Sequence, residues 1–192
     1  MQDALDDLRK KWESEADWPD IIYSMQHRIG LNCGKMVTGN MGSEMRMNYT
    51  MMGDTVNLAA RLESSAKQYG VYNFVGENLY EKTKDVYIFR LLDFVRVKGK
   101  NIPVKVYELI SSKENIDNHT INLIKTFEDG LDHYYLQNWE KALALFKKSE
   151  SMEDHFSGRN TTPSNVYIDR CIMFKESPPG KDWNGVWTMT SK

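Results

Sequence analysis

The spacing of hydrophobic and polar positions changes twice in the first part of the chain. Leu5, Leu8 and Trp12 recur at helical intervals, which predicts a helix over residues 2–16 that ends before Pro19. From residue 27 onwards, apolar residues alternate with polar ones, as they do in a half-buried strand. The pattern then predicts a β-hairpin of strands 27–33 and 36–40, a strand at 47–52, a helix at 54–69, a strand at 71–75, a helix at 77–83, and a closing pair of strands at 86–99 and 102–110. We expect an α+β sheet with its helices on one face.

Glycines supply the predicted breaks between the early strands. A tight turn at Gly34 closes the hairpin. Gly39, Gly42 and Ser43 then separate its second strand from the strand at 47–52.

After Ile110 the composition changes to a polar linker over residues 111–119 and a helical tail over 120–192. Helices at 120–136 and 139–152 resemble the second half of a tetratricopeptide repeat. One such hairpin cannot bury its own apolar face, so we expect it to pack on another part of the protein. The tail continues with a third helix at 163–175, which has Thr162 as its cap, and with a Pro/Gly-rich end without regular structure, which Trp183 and Trp187 hold to a surface. Trp139 and Phe146 are predicted to be core residues rather than partner contacts.

The most informative stretch is "YTMMGDTVNLAARLES", residues 49–64, in which a strand gives way to a helix. Asp54 is the predicted N-cap, and Gly70 ends the helix. Asn57 and Arg61 are four residues apart and therefore share one face. A guanidinium suits phosphate oxygens, and an amide suits a ribose or a base. The alternative is an ordinary polar pair on a solvated helix face.

Composition and charge exclude several classes of function. The net charge of −2 gives no electrostatic reason to expect a nucleic-acid partner. No run of residues approaches the ~20 apolar residues of a membrane span, and the charged start of the chain lacks a signal peptide. The two cysteines, Cys33 and Cys171, are far apart and are expected to be reduced thiols. We expect a cytoplasmic chain of 192 residues without direct membrane insertion.

Three segments resemble the second half of a class III nucleotide cyclase catalytic domain. They are "RIGLNCGKMVTGNMGS", "NYTMMGDTVNLAARLES" and "VRVKGKNIPVKVYEL". The resemblance covers residues 1–110 and implies a partial ferredoxin-like cyclase sheet with helices. The tail is similar to the segment that follows this domain in bacterial members with a sensory and membrane region. This implies a parent protein of the inner membrane, with the present residues on its cytoplasmic side.

The resemblance assigns roles to five residues. It places Asn57 on the ribose and Arg61 on the α-phosphate, as the cation that stabilises the transition state. Lys98 is implied to contact the terminal phosphates, and Lys100 is a weaker candidate for that contact. Thr50 matches the position that reads the exocyclic group of the purine, where its hydroxyl favours ATP over GTP. The implied reaction converts ATP to 3′,5′-cyclic AMP and pyrophosphate.

The family's two metal-binding aspartates belong to the first half of the domain, and neither of their motifs is present in these residues. The resemblance implies Mg²⁺ or Mn²⁺ for the parent enzyme, with ligands outside this chain. It also implies a head-to-tail homodimer, with ATP bound between two protomers. We therefore predict that the 192 residues alone are inactive. The alternatives are a guanylate cyclase, a non-catalytic cyclase-like module for nucleotide binding or dimerisation, and an interaction module whose functional part is the tail.

Overall fold

The computed structural model describes residues 1–96, 103–154 and 159–188. Its helices are α1 (Gln2–Glu15), α2 (Asp20–Tyr23), α3 (Asp54–Tyr69), α4 (Glu77–Thr83), α5 (Asn118–Tyr135), α6 (Trp139–Glu150) and α7 (Pro163–Glu176). Its strands are β1 (Ile29–Leu31), β2 (Val37–Ser43), β3 (Arg46–Met52), β4 (Asn73–Gly76), β5 (Tyr87–Arg96), β6 (Val104–Ser112) and β7 (Trp187–Thr188). The predicted α+β sheet followed by a helical tail is confirmed.

Five strands form one sheet in the order β1-β4-β6-β5-β7, and β2 and β3 form a separate hairpin. The outer strands β1 and β7 run parallel to their neighbours, whereas β6 runs antiparallel to both β4 and β5. The predicted hairpin of the first two strands is wrong, because β1 pairs with β4 and β2 pairs with β3. The predicted break at Gly39, Gly42 and Ser43 is also wrong, because β2 continues through all three residues and Gly42 pairs with Met47 of β3. A side chain at Gly42 would lie 2.0 Å from the carbonyl oxygen of Arg46, so this glycine lets two paired strands approach each other.

Helices cover both faces of the five-stranded sheet, so the prediction of helices on one face is wrong. Val106 and Tyr107 are consecutive in β6 and therefore point to opposite faces. Val106 belongs to the core that contains Leu62 of α3. Tyr107 stacks on Tyr80 of α4, with 3.9 Å between the ring centroids. The helices α3 and α4 thus lie on opposite sides of the sheet.

The helical tail packs against the outer edge of β5. The backbone N–H of Leu91 donates to Glu128 of α5 at 3.1 Å, and the Tyr167 hydroxyl of α7 donates to the Leu92 carbonyl at 2.9 Å. Side chains of α5, α6 and α7 form a second core, which consists of Phe127, Leu131, Tyr134, Trp139, Ala142, Phe146, Tyr167 and Cys171. The tetratricopeptide-like hairpin therefore packs on α7 and on the sheet, as predicted.

The end of the chain is held on the same surface. Trp183 packs on the second core, and Trp187 lies in β7 beside Val95 of β5. Both tryptophans anchor this segment, as predicted. The expected lack of regular structure is wrong for β7, a short strand that parallel pairing with β5 stabilises. The Thr162 side chain caps α7 by accepting from the Asn165 N–H, as predicted.

Candidate active site

The helix α3 begins one residue earlier than an Asp54 cap would require. Gly53 occupies the N-cap position with φ 143°, a conformation that glycine adopts readily, and Asp54 is the first helical residue. The predicted capping role of Asp54 is therefore wrong, although an acidic residue in the first turn still suits the helix dipole. Gly70 ends the helix with φ 63°, as predicted.

Strand β1 and the residue after it are in close contact with the backbone of α3. The Asn32 side-chain amide, just beyond β1, donates to the carbonyl of Thr55 at 3.2 Å. A side chain at Gly30 would lie only 2.1 Å from the carbonyl oxygen of Ala59. The backbones of β1 and α3 are therefore in direct contact, and Leu62 of the same helix is fully buried below them. This packing fixes the face of α3 that points away from the sheet.

Two of the predicted site residues lie on the accessible part of α3. Asn57 is exposed, and Arg61 is half-buried one turn further along the helix. Thr50 is exposed on β3, two residues before that strand ends, and it pairs with Gly39 of β2. The structure thus places Thr50, Asn57 and Arg61 on a strand and a helix that Gly53 joins directly.

The remaining site predictions concern lysines and metal ions. Lys98 and Lys100 lie outside the described residues. In the three ranges that the structure covers, no group of three or more His, Cys, Asp or Glu side chains is arranged to hold a metal ion. These residues do not fit a metal centre, so no metal-dependent step is assigned to them.

Two cavities, of about 310 and 360 Å³, lie between the sheet and the tail. Leu91, Lys105 and Tyr135 line both of them, and none of the three described site residues lines either. Neither of these two cavities is therefore the candidate site.

Asn32 and Asp93, two polar residues that support α3, are not among the site residues predicted from the sequence. Asn32 directly follows an apolar strand, and Asp93 lies within a long apolar strand. In the sequence, each is therefore a polar residue among apolar neighbours. The partners of Asp93 were not visible, because Tyr69 and Arg170 lie 24 and 77 residues away in the sequence. Local patterns carry no information about contacts at such separations.

Asn57 and Arg61 thus present an exposed amide and a half-buried guanidinium on one face of α3, and such groups can hydrogen-bond to hydroxyl and phosphate oxygens. The sequence profile described as "Adenylate and Guanylate cyclase catalytic domain" matches residues 7–112. The chain belongs to this family, and the predicted resemblance is confirmed.

Known proteins similar to this chain include several cyclases. The terminal-differentiation-specific adenylate cyclase of Dictyostelium discoideum is 33% identical over 155 residues, which cover 78% of this chain and 7% of that protein. Adenylate cyclase 1 of Rhizobium meliloti is 37% identical over 83 residues, or 43% of this chain and 12% of that protein. The adenylyl cyclase CyaB from P. aeruginosa aligns with a TM-score of 0.49 and 29% identity, over 60% of this chain and 56% of that chain. The chain thus spans a small part of the curated relatives.

Within the ranges that the structure covers, no helix has both the length and the apolar character needed to cross a membrane.

Proposed function

We propose that this chain supplies the nucleotide-recognition part of an adenylate cyclase site. The observation that carries the proposal is the display of Asn57 and Arg61 on the accessible face of α3, in a chain that belongs to the cyclase family. In the proposed reaction, the ribose 3′-hydroxyl releases its proton to solvent, and its oxygen bonds to the α-phosphorus of ATP. The bond from that phosphorus to the bridging oxygen of pyrophosphate breaks, and the products are 3′,5′-cyclic AMP and pyrophosphate.

Each residue has a specific task in this proposal. Asn57 orients the ribose so that its 3′-oxygen lies in line with the leaving pyrophosphate. Arg61 stabilises the negative charge that grows on the phosphoryl oxygens. Lys98 is proposed to bind the terminal phosphates, with Lys100 as the weaker candidate. Both lysines come from the segment that joins β5 to β6.

Thr50 is proposed to read the base. Its hydroxyl can accept a hydrogen bond from the amino group of adenine, which favours ATP. The same hydroxyl can also donate to the carbonyl oxygen of guanine, so a guanylate cyclase is the second candidate. The third candidate is a module that binds the nucleotide without converting it.

The exposed hairpin of β2 and β3 supports a second protomer as the partner. Met47, Tyr49 and Met51 lie on one face of β3 and expose 62%, 74% and 52% of their surface, respectively. An isolated two-stranded hairpin is marginally stable in water, and apolar surface of this kind is typical of an interaction site. We propose that a second cyclase protomer covers this face in a head-to-tail homodimer.

The proposal includes cofactors and location. Divalent ions, Mg²⁺ or Mn²⁺, would bind to aspartates outside these residues, and the parent protein would carry this part on the cytoplasmic side of the inner membrane. The division into a cyclase part (1–110), a linker (111–119) and a tail (120–192) also stays a proposal.

The test is a cyclase assay on the chain extended upstream through the first half of the domain, with ATP and with GTP. We expect cyclic AMP to exceed cyclic GMP, and Arg61→Ala to lower kcat by about 10²- to 10³-fold. Lys67→Ala, which removes an exposed cation from the same helix, is the matched control and should retain full activity. Equal turnover by Arg61→Ala would refute the role of Arg61, and nucleotide binding without any turnover would favour the third candidate.

The 192 residues alone provide a separate test. We expect no cyclic AMP from them with ATP and Mn²⁺, because the metal-binding motifs of the family are missing from this stretch. Cyclic AMP formation by the purified chain would contradict this prediction.

A further inference from the structure

Three buried polar side chains from three elements meet at the C-terminal end of α3. The hydroxyl of Tyr69, the last residue of α3, donates to Asp93 of β5 at 2.6 Å. Arg170 of α7 donates to the same carboxylate oxygen at 2.7 Å and to the Tyr69 hydroxyl at 3.3 Å. Tyr69 and Asp93 are fully buried, and Arg170 is 6% exposed. Burial raises the pKa of Tyr69 well above its ordinary value, so its hydroxyl remains a donor at neutral pH.

The residue after α3 is held by the tail as well. The Arg159 guanidinium donates to the carbonyl of Gly70 at 3.0 Å. A side chain at Gly70 would lie 1.8 Å from the carbonyl oxygen of Thr161, so the segment that leads into α7 runs directly against the end of α3. The tail thus contacts α3 through its last helical residue and through its terminating glycine.

Arg170 is also held by a contact with Trp187 of β7. Its guanidinium carbon lies 3.8 Å from the ring centroid of Trp187 in β7, close enough for a cation–π contact. A buried guanidinium has few alternative positions, because it must keep a carboxylate partner. Movement of α7 relative to the sheet would therefore move Arg170 and with it the hydrogen-bond acceptor of Tyr69.

We propose that Tyr69 is a positioning residue through which the helical tail sets the placement of Asn57 and Arg61. The proposal rests on the proposed function of this site. Arg61 lies eight residues before Tyr69, about 12 Å along the axis of a regular helix. Gly30 contacts α3 at Ala59 and Glu63, and α3 is one continuous helix, so it moves as a rigid element about that contact. A displacement at its C-terminal end therefore tilts its N-terminal half. The tail acts as a regulatory element for turnover, and events that shift α7 change the rate.

The test is a pair of matched hydroxyl deletions in the upstream-extended protein. Tyr69→Phe removes the hydroxyl that connects α3 to Asp93. Thr83→Val removes a half-buried hydroxyl that donates to the Leu79 carbonyl within α4 and not to α3 or the tail. We expect Tyr69→Phe to lower kcat about tenfold with KM for ATP nearly unchanged, and Thr83→Val to keep both values. Equal effects of the two variants, or no effect of Tyr69→Phe, would overturn the proposal.

A second measurement separates this proposal from the proposed function. Hydrogen exchange of the backbone amides over residues 54–62, measured on the 192-residue chain, needs no activity. We expect faster exchange there in Tyr69→Phe than in Thr83→Val, and equal exchange would show that Tyr69 does not fix α3. If the unmutated extended protein converts neither ATP nor GTP, the proposed function fails, and the regulatory role of the tail fails with it. If it is active and the two variants behave alike, only the positioning role fails.

Discussion

Replacement of Gly30 by alanine tests directly how closely β1 holds the candidate catalytic helix. The new methyl carbon would lie 2.1 Å from the carbonyl oxygen of Ala59 and 2.5 Å from the backbone nitrogen of Glu63. Both contacts are with backbone atoms, so no side chain can rotate away. Since carbon atoms rarely approach such groups within ~3.0 Å, α3 must move away from the sheet by about 1 Å.

Two consequences of this shift are measurable. Overpacking should lower the free energy of unfolding of the 192-residue chain by about 1–3 kcal/mol, as read from urea denaturation. In the upstream-extended protein, a displacement of Asn57 and Arg61 by about 1 Å should lower kcat by up to about 100-fold. Gly180→Ala is the control, because its methyl group would meet no atom within 4 Å. Wild-type stability and turnover in Gly30→Ala would refute the close contact between β1 and α3.

Two further predictions concern the junction of sheet and tail. Burial raises the pKa of Glu128, so its ionised form weakens the fold once the pH rises through that value. Glu128→Gln keeps an acceptor for the Leu91 N–H and should raise Tm at pH 7 but not near pH 4. The control Asp169→Asn, which removes an exposed carboxylate from α7, should leave Tm unchanged at both pH values. Burial alone would raise the pKa of Glu153, but Arg90 foremost holds it below its ordinary value. The stability that the Arg90–Glu153 ion pair gives is present above the unfolded-state pKa of Glu153 and is lost as the pH falls. Glu153→Gln should therefore be less stable at pH 7, and its stability should decline less steeply in acid, as followed by circular dichroism. A decline as steep as that of the unmutated chain would refute this role.

The helix α3 was predictable because its signals are local. Gly53 and Asp54 mark its start and Gly70 marks its end within a few residues, and a misplacement of the cap by one position changes little. The placement of Asn57 and Arg61 on one face followed from the helical repeat alone. The cap at Thr162 was predictable for the same reason.

Strand pairing could not be read from the same patterns. The sequence places the second strand directly after the first, which favours a hairpin, yet β1 pairs in parallel with β4, which starts at Asn73. The choice depends on α3, which packs its buried side chains across both β1 and β4 and brings them together. Alternation of apolar residues shows that a segment is a strand, but it does not specify the neighbour.

The tail and the edge of β5 cover each other's unpaired surfaces. A single tetratricopeptide-like hairpin leaves one apolar face open, and the edge of β5 leaves backbone groups without strand partners. In the structure, Glu128 accepts from Leu91, and Tyr167 donates to Leu92, so side chains of the tail satisfy two adjacent residues of that edge. The ladder between β5 and β6 shifts register between Leu91 and Asp93, where these contacts form. The family match ends at residue 112, but the packing of the cyclase part extends further. The edge of β5 and the C-terminal end of α3 are both held by residues of the tail, which lies after residue 112.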